Sequence, residues 1–294
     1  MTQASRFRAL LERGGMVVAP GAYDCITARL IEQAGFDAAY MTGAGTAATL
    51  GYPDFGLVTM SEMVANARRI AGAVELPVIA DADTGYGNEL NVFRTVREFE
   101  RSGVAGIHIE DQEFPKKCGH LDNKQIIPRE DFTAKIRAAA AARRDPDFIV
   151  IARTDSRAVA GFDEAITRAN EALAAGADIA FVEAPQTLDE VSAVPRLVKG
   201  PCLLNVVRGG KTPDLDLSEA EAMGYKLAIV PGLLIKSVVG ICDRMLAELK
   251  ATHRHPPLVE EMTVAEMFRR FGADEWDALR MRFRITPSTR QAAE

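Results

Sequence analysis

The sequence predicts an α/β protein folded as a TIM-type (β/α)8 barrel. Eight short apolar runs with the character of strands are spread over the chain, and longer amphipathic segments with the character of helices lie between them. Alternation of this kind is typical of a parallel sheet covered by helices. The length of 294 residues also suits a barrel, which typically needs about 250 residues. We predict one barrel domain over residues 1–294, with residues 253–294 as a C-terminal helical extension.

The predicted strands are Met16–Pro20, Ala38–Thr42, Pro77–Asp83, Gly106–Asp111, Phe148–Asp155, Ile179–Ala184, Cys202–Val207 and Leu227–Pro231. Apolar residues at helical spacing predict helices over Asp24–Ala34, Ser61–Val74, Asn88–Arg101, Arg129–Arg144, Phe162–Ala175 and Leu188–Val198. An open doubly wound sheet is the alternative architecture. It usually carries a glycine-rich phosphate turn after its first strand, and the stretch Ala19–Tyr23 is not such a turn.

Further helical patterns follow the eighth strand. Leu233–Ala251 predicts the last barrel helix, and His253-Arg254-His255-Pro256-Pro257 interrupts the pattern before a helical stretch over Leu258–Arg284. This stretch carries an apolar stripe made of Met262, Met267, Phe268, Phe271, Trp276, Leu279 and Phe283. A stripe outside the barrel predicts burial against a neighbouring subunit, and therefore a homo-oligomer.

Composition and charge exclude several classes of partner. The net charge of −6 is modest and spread along the chain, so we expect neither a nucleic-acid-binding surface nor a basic membrane face. No apolar run approaches the ~20 residues of a membrane span, and residues 1–15 lack the core of a signal peptide. The four scattered cysteines fit reduced thiols better than disulfides or a zinc site. We therefore expect a cytoplasmic protein.

The densest reactive chemistry lies in the stretch Glu110–His120, which reads Glu-Asp-Gln-Glu-Phe-Pro-Lys-Lys-Cys-Gly-His. It follows a predicted strand, and barrels place their chemistry at the carboxyl ends of strands. We expect Lys116 and Lys117 to lower the pKa of the Cys118 thiol. His120 offers a proton or a hydrogen bond. The alternative is a solvated charged loop with an incidental cysteine.

Two further carboxylates follow the third predicted strand, in Asp81-Ala82-Asp83-Thr84-Gly85-Tyr86-Gly87. Alternation along a strand directs Asp81 and Asp83 to the same side, and Glu110 lies at the end of the next strand. Three oxygen ligands on neighbouring strand ends suit Mg²⁺ or Mn²⁺ better than zinc. The structural alternative is that Asp83 caps the following helix and Asp81 pairs with a lysine.

Other strand ends direct polar or small residues to the same space: Tyr40, Thr42, Gly43, Ala44, Gly45, Asp54, Arg153, Glu183 and Asn205. The small residues at 43–45 would let backbone amides approach an anion closely, although a plain strand-to-loop turn would look similar. Arg153 could bind a substrate carboxylate in a bidentate manner, through two nitrogens of its guanidinium. Asp155 or Glu183 could instead neutralise it structurally.

Together these motifs resemble the isocitrate lyase and phosphoenolpyruvate mutase superfamily. The similarity covers nearly the whole barrel, in order, through Tyr40-Met41-Thr42-Gly43-Ala44-Gly45, Gly51-Tyr52-Pro53-Asp54, Asp81–Gly87, Ile109-Glu110-Asp111-Gln112, Lys116-Lys117-Cys118-Gly119-His120, Ala152-Arg153-Thr154-Asp155, and Asn205 before Gly209-Gly210-Lys211-Thr212-Pro213. The Lys-Lys-Cys-Gly-His element is the most specific. The lyase branch, with methylisocitrate lyase and 2,3-dimethylmalate lyase, and the carboxyphosphonoenolpyruvate mutases carry it or a close variant, whereas phosphoenolpyruvate mutases proper differ there.

The resemblance to the lyase branch implies a carbon–carbon lyase that depends on Mg²⁺ or Mn²⁺. Such an enzyme cleaves a 2-hydroxy di- or tricarboxylate to a 2-oxo acid such as pyruvate and a second carboxylate. Cys118, on a mobile loop, would protonate the departing carbanion, and Tyr40 is a candidate for the hydroxyl proton. The resemblance also implies a tetramer whose subunits exchange their last barrel helix.

The predicted site residues fall into three groups. The catalytic residues are Cys118, Tyr40, His120, Lys116 and Lys117, and the metal ligands are Asp81, Asp83 and Glu110. The substrate-binding residues are Thr42, Gly43, Ala44, Asp54, Gly119, Arg153, Glu183, Asn205 and Arg208.

One residue departs from the family pattern. Related lyases commonly have a glutamate where this sequence has Arg208, and its guanidinium is expected to reach the second carboxylate of the substrate or an acid such as Glu183. This departure from the family pattern leaves the identity of the substrate undetermined. Two other activities remain alternatives: a carboxyphosphonoenolpyruvate-type phosphonomutase, and an oxaloacetate decarboxylase, whose relatives lack the Lys-Lys-Cys-Gly-His loop. A non-enzymatic binding barrel is disfavoured by the intact metal and thiol residues.

Overall fold

The computed structural model describes residues 1–284 and confirms the predicted barrel. The strands are β1 (Val17–Ala22), β2 (Ala39–Met41), β3 (Val78–Asp81), β4 (Gly106–Glu110), β5 (Ile149–Thr154), β6 (Ile179–Val182), β7 (Cys202–Asn205) and β8 (Leu227–Val230). Each strand pairs in parallel with the next, and β8 pairs with β1, so the sheet closes on itself. All predicted strands are found within two residues of their predicted ends.

The helices are α1 (Gln3–Glu12), α2 (Cys25–Gln33), α3 (Gly43–Thr49), α4 (Met60–Ala71), α5 (Glu89–Ser102), α6 (Arg129–Ala142), α7 (Phe162–Ala174), α8 (Leu188–Leu197), α9 (Leu217–Met223), α10 (Gly232–Thr252), α11 (Val264–Arg269) and α12 (Ala273–Phe283). Side chains that accept hydrogen bonds from the first helical amides fix several starts, for example Asp24 before α2 and Asn88 before α5. Asp83 therefore does not cap the helix that follows β3, which removes one structural explanation for its position.

The interior of the barrel is filled by inward-facing aliphatic and aromatic side chains. Ile79, Ile151 and Phe181 belong to one buried cluster with residues of the other strands. Phe7 of α1 joins this cluster and is fully buried. Helix α1 was not predicted, although Phe7, Leu10 and Leu11 have the spacing of a helix face. It covers the amino-terminal end of the barrel and leaves the carboxyl end for chemistry.

Two other helical segments differ from the prediction. The stretch Gly43–Ala44–Gly45 opens α3 instead of forming a plain turn. The predicted helical stretch Leu258–Arg284 contains two helices, α11 and α12, which are separated by residues 270–272. Gly272 precedes α12 and has a left-handed φ of 86°.

The described chain divides into two compact units, Met1–Val239 and a second unit that begins at Gly240. The first holds the whole barrel, and the second holds the rest of α10 with α11 and α12. The single domain with an extension over 253–294 stays a prediction, and residues 285–294 lie outside the described residues. Among the helices of residues 1–284, none is both long and apolar enough to span a membrane.

Candidate active site

A cavity of about 250 Å³ lies at the carboxyl ends of the strands. Its lining includes the predicted site residues Tyr40, Thr42, Ala44, Asp54, Asp81, Cys118, Gly119, His120, Arg153, Glu183 and Asn205. The remaining wall is built from Val207, Gly209, Gly210, Pro231, Gly232, Ile235 and Lys236. The barrel thus brings residues from six strand ends and from the loop after β4 to one cavity.

Tyr40, His108 and Asp81 form a hydrogen-bonded group in the floor of the cavity. The Tyr40 hydroxyl lies 2.8 Å from His108 Nε2 and 3.2 Å from Asp81 Oδ2. Burial, reinforced by Asp81, raises the pKa of Tyr40 well above its ordinary value. Tyr40 is therefore a neutral phenol at neutral pH. It can take a substrate proton only while it gives its own proton to a neighbour.

The turn that opens α3 contributes Thr42 and Ala44 to the cavity wall. Thr42 Oγ1 accepts a hydrogen bond from the amide of Gly45 and so caps the helix. The amide of Gly43 donates to Asp81 Oδ2 at 3.2 Å, and a Cβ atom at Gly43 would overlap that carboxylate. The Gly43 amide therefore positions Asp81, and the exposed residue Ala44 is the one that faces the cavity.

Asp83 does not point into the cavity beside Asp81 as strand alternation predicted. Strand β3 ends at Asp81, and Asp83 has a left-handed φ of 46°. Its Oδ1 atom lies 2.9 Å from Lys116 Nζ, which also lies 2.5 Å from Asp54 Oδ1. Burial alone would lower the pKa of Lys116, but Asp83, Glu110 and Asp54 raise it well above its ordinary value. Lys116 is a permanent ammonium at the centre of an acidic cluster.

The carboxylates of Asp83 and Glu110 are buried. Asp83 Oδ1 is paired with Lys116 Nζ, whereas neither Oε atom of Glu110 accepts a hydrogen bond, and Glu110 Oε2 lies 3.3 Å from Arg153 Nε. Burial raises the pKa of Asp83 to about 6 and that of Glu110 well above its ordinary value. Within residues 1–284, no three Asp, Glu, His or Cys side chains stand close enough to enclose a metal ion directly. The donor set still fits Mg²⁺, which commonly uses one or two carboxylates and keeps several waters.

The Cys118 thiol lies on the loop between β4 and α6 and is half-buried at the cavity wall. Burial raises its pKa above the ordinary value, and a hydrogen bond from the His120 amide offsets this only in part. The prediction that Lys116 and Lys117 lower this pKa is therefore wrong. Lys116 is held by acids, and Lys117 is fixed through its backbone by Gln112 and does not line the cavity. The thiol carries its proton at neutral pH.

Arg153, Glu183 and Asn205 form the opposite wall. Arg153 bonds Asp155 with two nitrogens, at 2.9 and 3.2 Å, and its Nη2 atom lies 3.6 Å from Glu183 Oε1. Asn205 Nδ2 donates to both oxygens of Glu183 at 3.2 Å, while Asn205 Oδ1 is buried without a hydrogen bond. Both predicted roles of Arg153 are therefore compatible: acids fix the guanidinium, and it still lines the cavity.

His120 connects the Cys118 loop to this wall. Its Nε2 atom lies 3.4 Å from Glu183 Oε1, and its Nδ1 atom accepts a hydrogen bond from the Lys211 amide at 3.0 Å. Burial lowers the pKa of His120, although Glu183 acts in the opposite direction. An Nδ1 acceptor leaves the proton of the neutral ring on Nε2, where it faces Glu183.

Gly119 lies between Cys118 and His120, and a side chain at this position would overlap Glu183 and Arg153. We expect Gly119→Ala to lower kcat/KM by about 100-fold, because a misplacement of about 1 Å in a catalytic group can cost that much. The melting temperature should change little. Gly14→Ala is the control, since a Cβ atom there meets nothing within 4 Å. Steady-state kinetics and thermal melts of both variants check this, and parent-like kinetics of Gly119→Ala would contradict it.

Several residues of the site were missed or misplaced by sequence reasoning. His108 shares its strand face with Glu110 two residues later, so alternation could have identified it. Lys236 of α10 lines the cavity and carried no recognisable signal. Arg208 is exposed and outside the lining, so its guanidinium is not where it was predicted to be. Only its carbonyl oxygen makes a contact near the site, as acceptor from Lys236 Nζ at 2.8 Å.

Comparisons with known proteins identify the family of the chain. A family model described as phosphoenolpyruvate phosphomutase matches residues 7–250. The chain is 51% identical over 232 residues to the 2,3-dimethylmalate lyase of Eubacterium barkeri, covering 79% of this chain and 80% of that protein. It is 42% identical over 271 residues to the 2-methylisocitrate lyase of Aeropyrum pernix, covering 92% and 87%.

Solved structures show the same likeness over the whole fold. A crystal structure of 2,3-dimethylmalate lyase, described as a member of the PEP mutase/isocitrate lyase superfamily, superposes with a TM-score of 0.91 at 41% identity. The superposition covers 96% of this chain and 95% of that chain. The chain therefore belongs to the phosphoenolpyruvate mutase/isocitrate lyase superfamily.

Proposed function

We propose that this protein is a carbon–carbon lyase that cleaves a 2-hydroxy di- or tricarboxylate, of methylisocitrate or dimethylmalate type, to a 2-oxo acid such as pyruvate and a second carboxylate. One observation carries the proposal: a protonated thiol, Cys118, lines the same cavity as a fixed guanidinium, Arg153, and as the carboxylates of Asp54 and Asp81. A carbanion needs a proton donor, and a substrate carboxylate needs the guanidinium. The carboxylates could hold a cation, which would stabilise a developing oxyanion. The names of the similar lyases support the same class of reaction.

The roles of the residues follow from their positions around the cavity. Arg153, Thr42 and Ala44 bind the carboxylate of the fragment that becomes the 2-oxo acid. The hydroxyl of this fragment loses its proton through Tyr40, which can pass its own proton to His108 Nε2 at 2.8 Å. The bond between the two fragments then breaks, and its electron pair remains on the carbon beside the second carboxylate. Cys118 donates its proton to that carbon.

We further propose that Asp81, Asp83 and Glu110 hold Mg²⁺, or Mn²⁺ in its place, with Asp54 nearby. The two buried Oε atoms of Glu110, which accept no hydrogen bond, and the buried carboxylates of Asp81 and Asp83 beside them support this assignment. Bound there, the cation would stabilise negative charge that develops on substrate oxygens. Lys116 lies among the same acids and keeps their combined charge from destabilising the fold when the cation is absent.

A screen of 2-hydroxy di- and tricarboxylates tests the proposal. We expect release of pyruvate or glyoxylate, followed by coupled dehydrogenase assays, from at least one substrate in the presence of Mg²⁺. Parallel assays with oxaloacetate, for carbon dioxide release, and with a phosphonate substrate, by phosphorus NMR, address the two alternative activities. Turnover confined to either of those assays would contradict the lyase proposal.

We also propose a cytoplasmic homo-oligomer, most simply a tetramer that exchanges α10 between subunits. None of the residues of α10 is buried in the single chain, and its exposed side chains include Leu233, Val239 and Leu246. A long helix with this much exposed apolar surface supports burial in an assembly. We expect the mass of four chains by sedimentation equilibrium. A monomer at micromolar concentration would contradict this prediction.

A further inference from the structure

Lys124 lies six residues after Cys118 on the same loop and has a buried ammonium group. Its side chain is 1% exposed, and Nζ lies 2.6 Å from Asp155 Oδ1. The same nitrogen donates to the carbonyl oxygen of Gly119. An ammonium is buried at tolerable cost only when it is paired and hydrogen-bonded. In this form of the loop, Asp155 and the Gly119 carbonyl compensate the buried charge of Lys124.

Asp155 is shared between the loop and the cavity wall. It is fully buried, and its two carboxylate oxygens accept hydrogen bonds from Arg153 at 2.9 and 3.2 Å. Its backbone amide donates to Asp111 Oδ1 at 2.8 Å, which fixes its position. One rigid carboxylate thus holds both the guanidinium that lines the cavity and the ammonium of the loop.

The other attachments of the loop lie elsewhere. At its base, Gln112 bridges to Ile126, and the amide of Glu113 donates to the carbonyl oxygen of Gln125 at 2.9 Å. At its tip, the amide of Cys118 donates to the carbonyl oxygen of Asp54 at 3.2 Å. The Lys124 ammonium holds the carbonyl oxygen of the next residue, Gly119. The segment that carries the thiol is thereby fixed at two points, the Cys118 amide and the Gly119 carbonyl.

We propose that Lys124 is a positioning residue: its ammonium, docked on Asp155 and on the Gly119 carbonyl, holds the Cys118 loop closed and couples that closure to the orientation of Arg153. The inference rests on the proposed function, in which Cys118 is the proton donor. Lys124 itself does not touch the cavity. Removal of its charge leaves the loop attached at its base, at Asp54 and through Lys116 and His120, but without the contact that holds the Gly119 carbonyl.

Alkylation of Cys118 by iodoacetamide, followed by peptide mass spectrometry, measures loop closure without any substrate. We expect Lys124→Met to raise the alkylation rate of Cys118 by about tenfold, which corresponds to about 1.4 kcal/mol of closure free energy. Lys124→Gln, which also lacks the charge, should act in the same direction and serves if the first variant does not fold. Asp122→Asn is the matched control, because it removes an exposed ion pair of the same loop, with Lys211, and should leave the rate unchanged.

Cys202 of β7 reports general loosening of the barrel, because it is buried and its pKa is raised to about 12. A rise at Cys118 with Cys202 unchanged supports the proposal. An unchanged rate at Cys118, or a parallel rise at both thiols, overturns it. The kinetics separate the two proposals: if the lyase reaction is real, Lys124→Met lowers kcat more than it raises KM. A protein without lyase activity would fail the substrate screen and still give the alkylation result.

Discussion

Replacing Cys118 by serine is expected to lower kcat for release of the 2-oxo acid by about 100-fold or more, the usual contribution of a positioned general acid. Burial raises the pKa of the thiol, so the parent enzyme holds a proton there at neutral pH. A serine hydroxyl has a similar size but gives up its proton far less readily. KM should change little, because Arg153, Thr42 and Ala44 remain to bind the substrate. Steady-state kinetics on the substrate found by the screen checks this.

The pH profile distinguishes an acid from a structural cysteine. The protonated thiol is the active form, so its contribution is complete below its pKa and is lost as the pH rises through that pKa. The parent enzyme should show this alkaline decline in kcat, and Cys118→Ser should not. Cys25→Ser is the control, because that sulfur contacts the Arg69 carbonyl, outside the cavity. Parent-like turnover of Cys118→Ser would point to decarboxylation or to a structural cysteine.

Asp83→Asn is expected to abolish measurable turnover and to weaken Mg²⁺ binding by about tenfold or more, since a neutral amide is a poor ligand for a hard cation. Asparagine is preferable to alanine because Asp83 has a left-handed φ of 46°, which asparagine tolerates. Titration calorimetry with Mg²⁺ and with Mn²⁺ measures the affinity directly. Removal of divalent cations from the parent enzyme by a chelator should likewise abolish activity, and added Mg²⁺ should restore it.

The control for this change is Glu89→Gln, because Glu89 is an exposed acid in the first turn of α5, outside the cavity. It should leave both metal affinity and turnover as in the parent. Asp83 also pairs with Lys116, so lost turnover alone would not identify a metal ligand. The calorimetry decides: parent-like affinity of Asp83→Asn for both cations would show that the metal site was assigned to the wrong carboxylates.

The sequence by itself determined the barrel and the membership of the superfamily. Alternation of short aliphatic runs with amphipathic segments is a local pattern, because each strand of the barrel buries both faces and each helix packed on the barrel buries one. The end of each aliphatic run also marked the carboxyl end of a strand. Because the parallel strands of a closed barrel end on the same side, Tyr40, Asp81 and Arg153 were predicted to surround a common space. The short motif Lys-Lys-Cys-Gly-His indicated the superfamily, which the comparisons confirm.

Only the tertiary structure decided which side chains around the cavity are charged and in which direction each of them points. The thiol pKa of Cys118 is raised because the closed loop buries it, whereas its neighbours in sequence suggested the opposite. Asp83 turns to Lys116 because its backbone leaves the strand in a left-handed conformation. Arg208 is exposed, while Lys124 is buried on Asp155. Burial and ion pairing depend on partners far apart in the chain, and no local pattern in the sequence contains them.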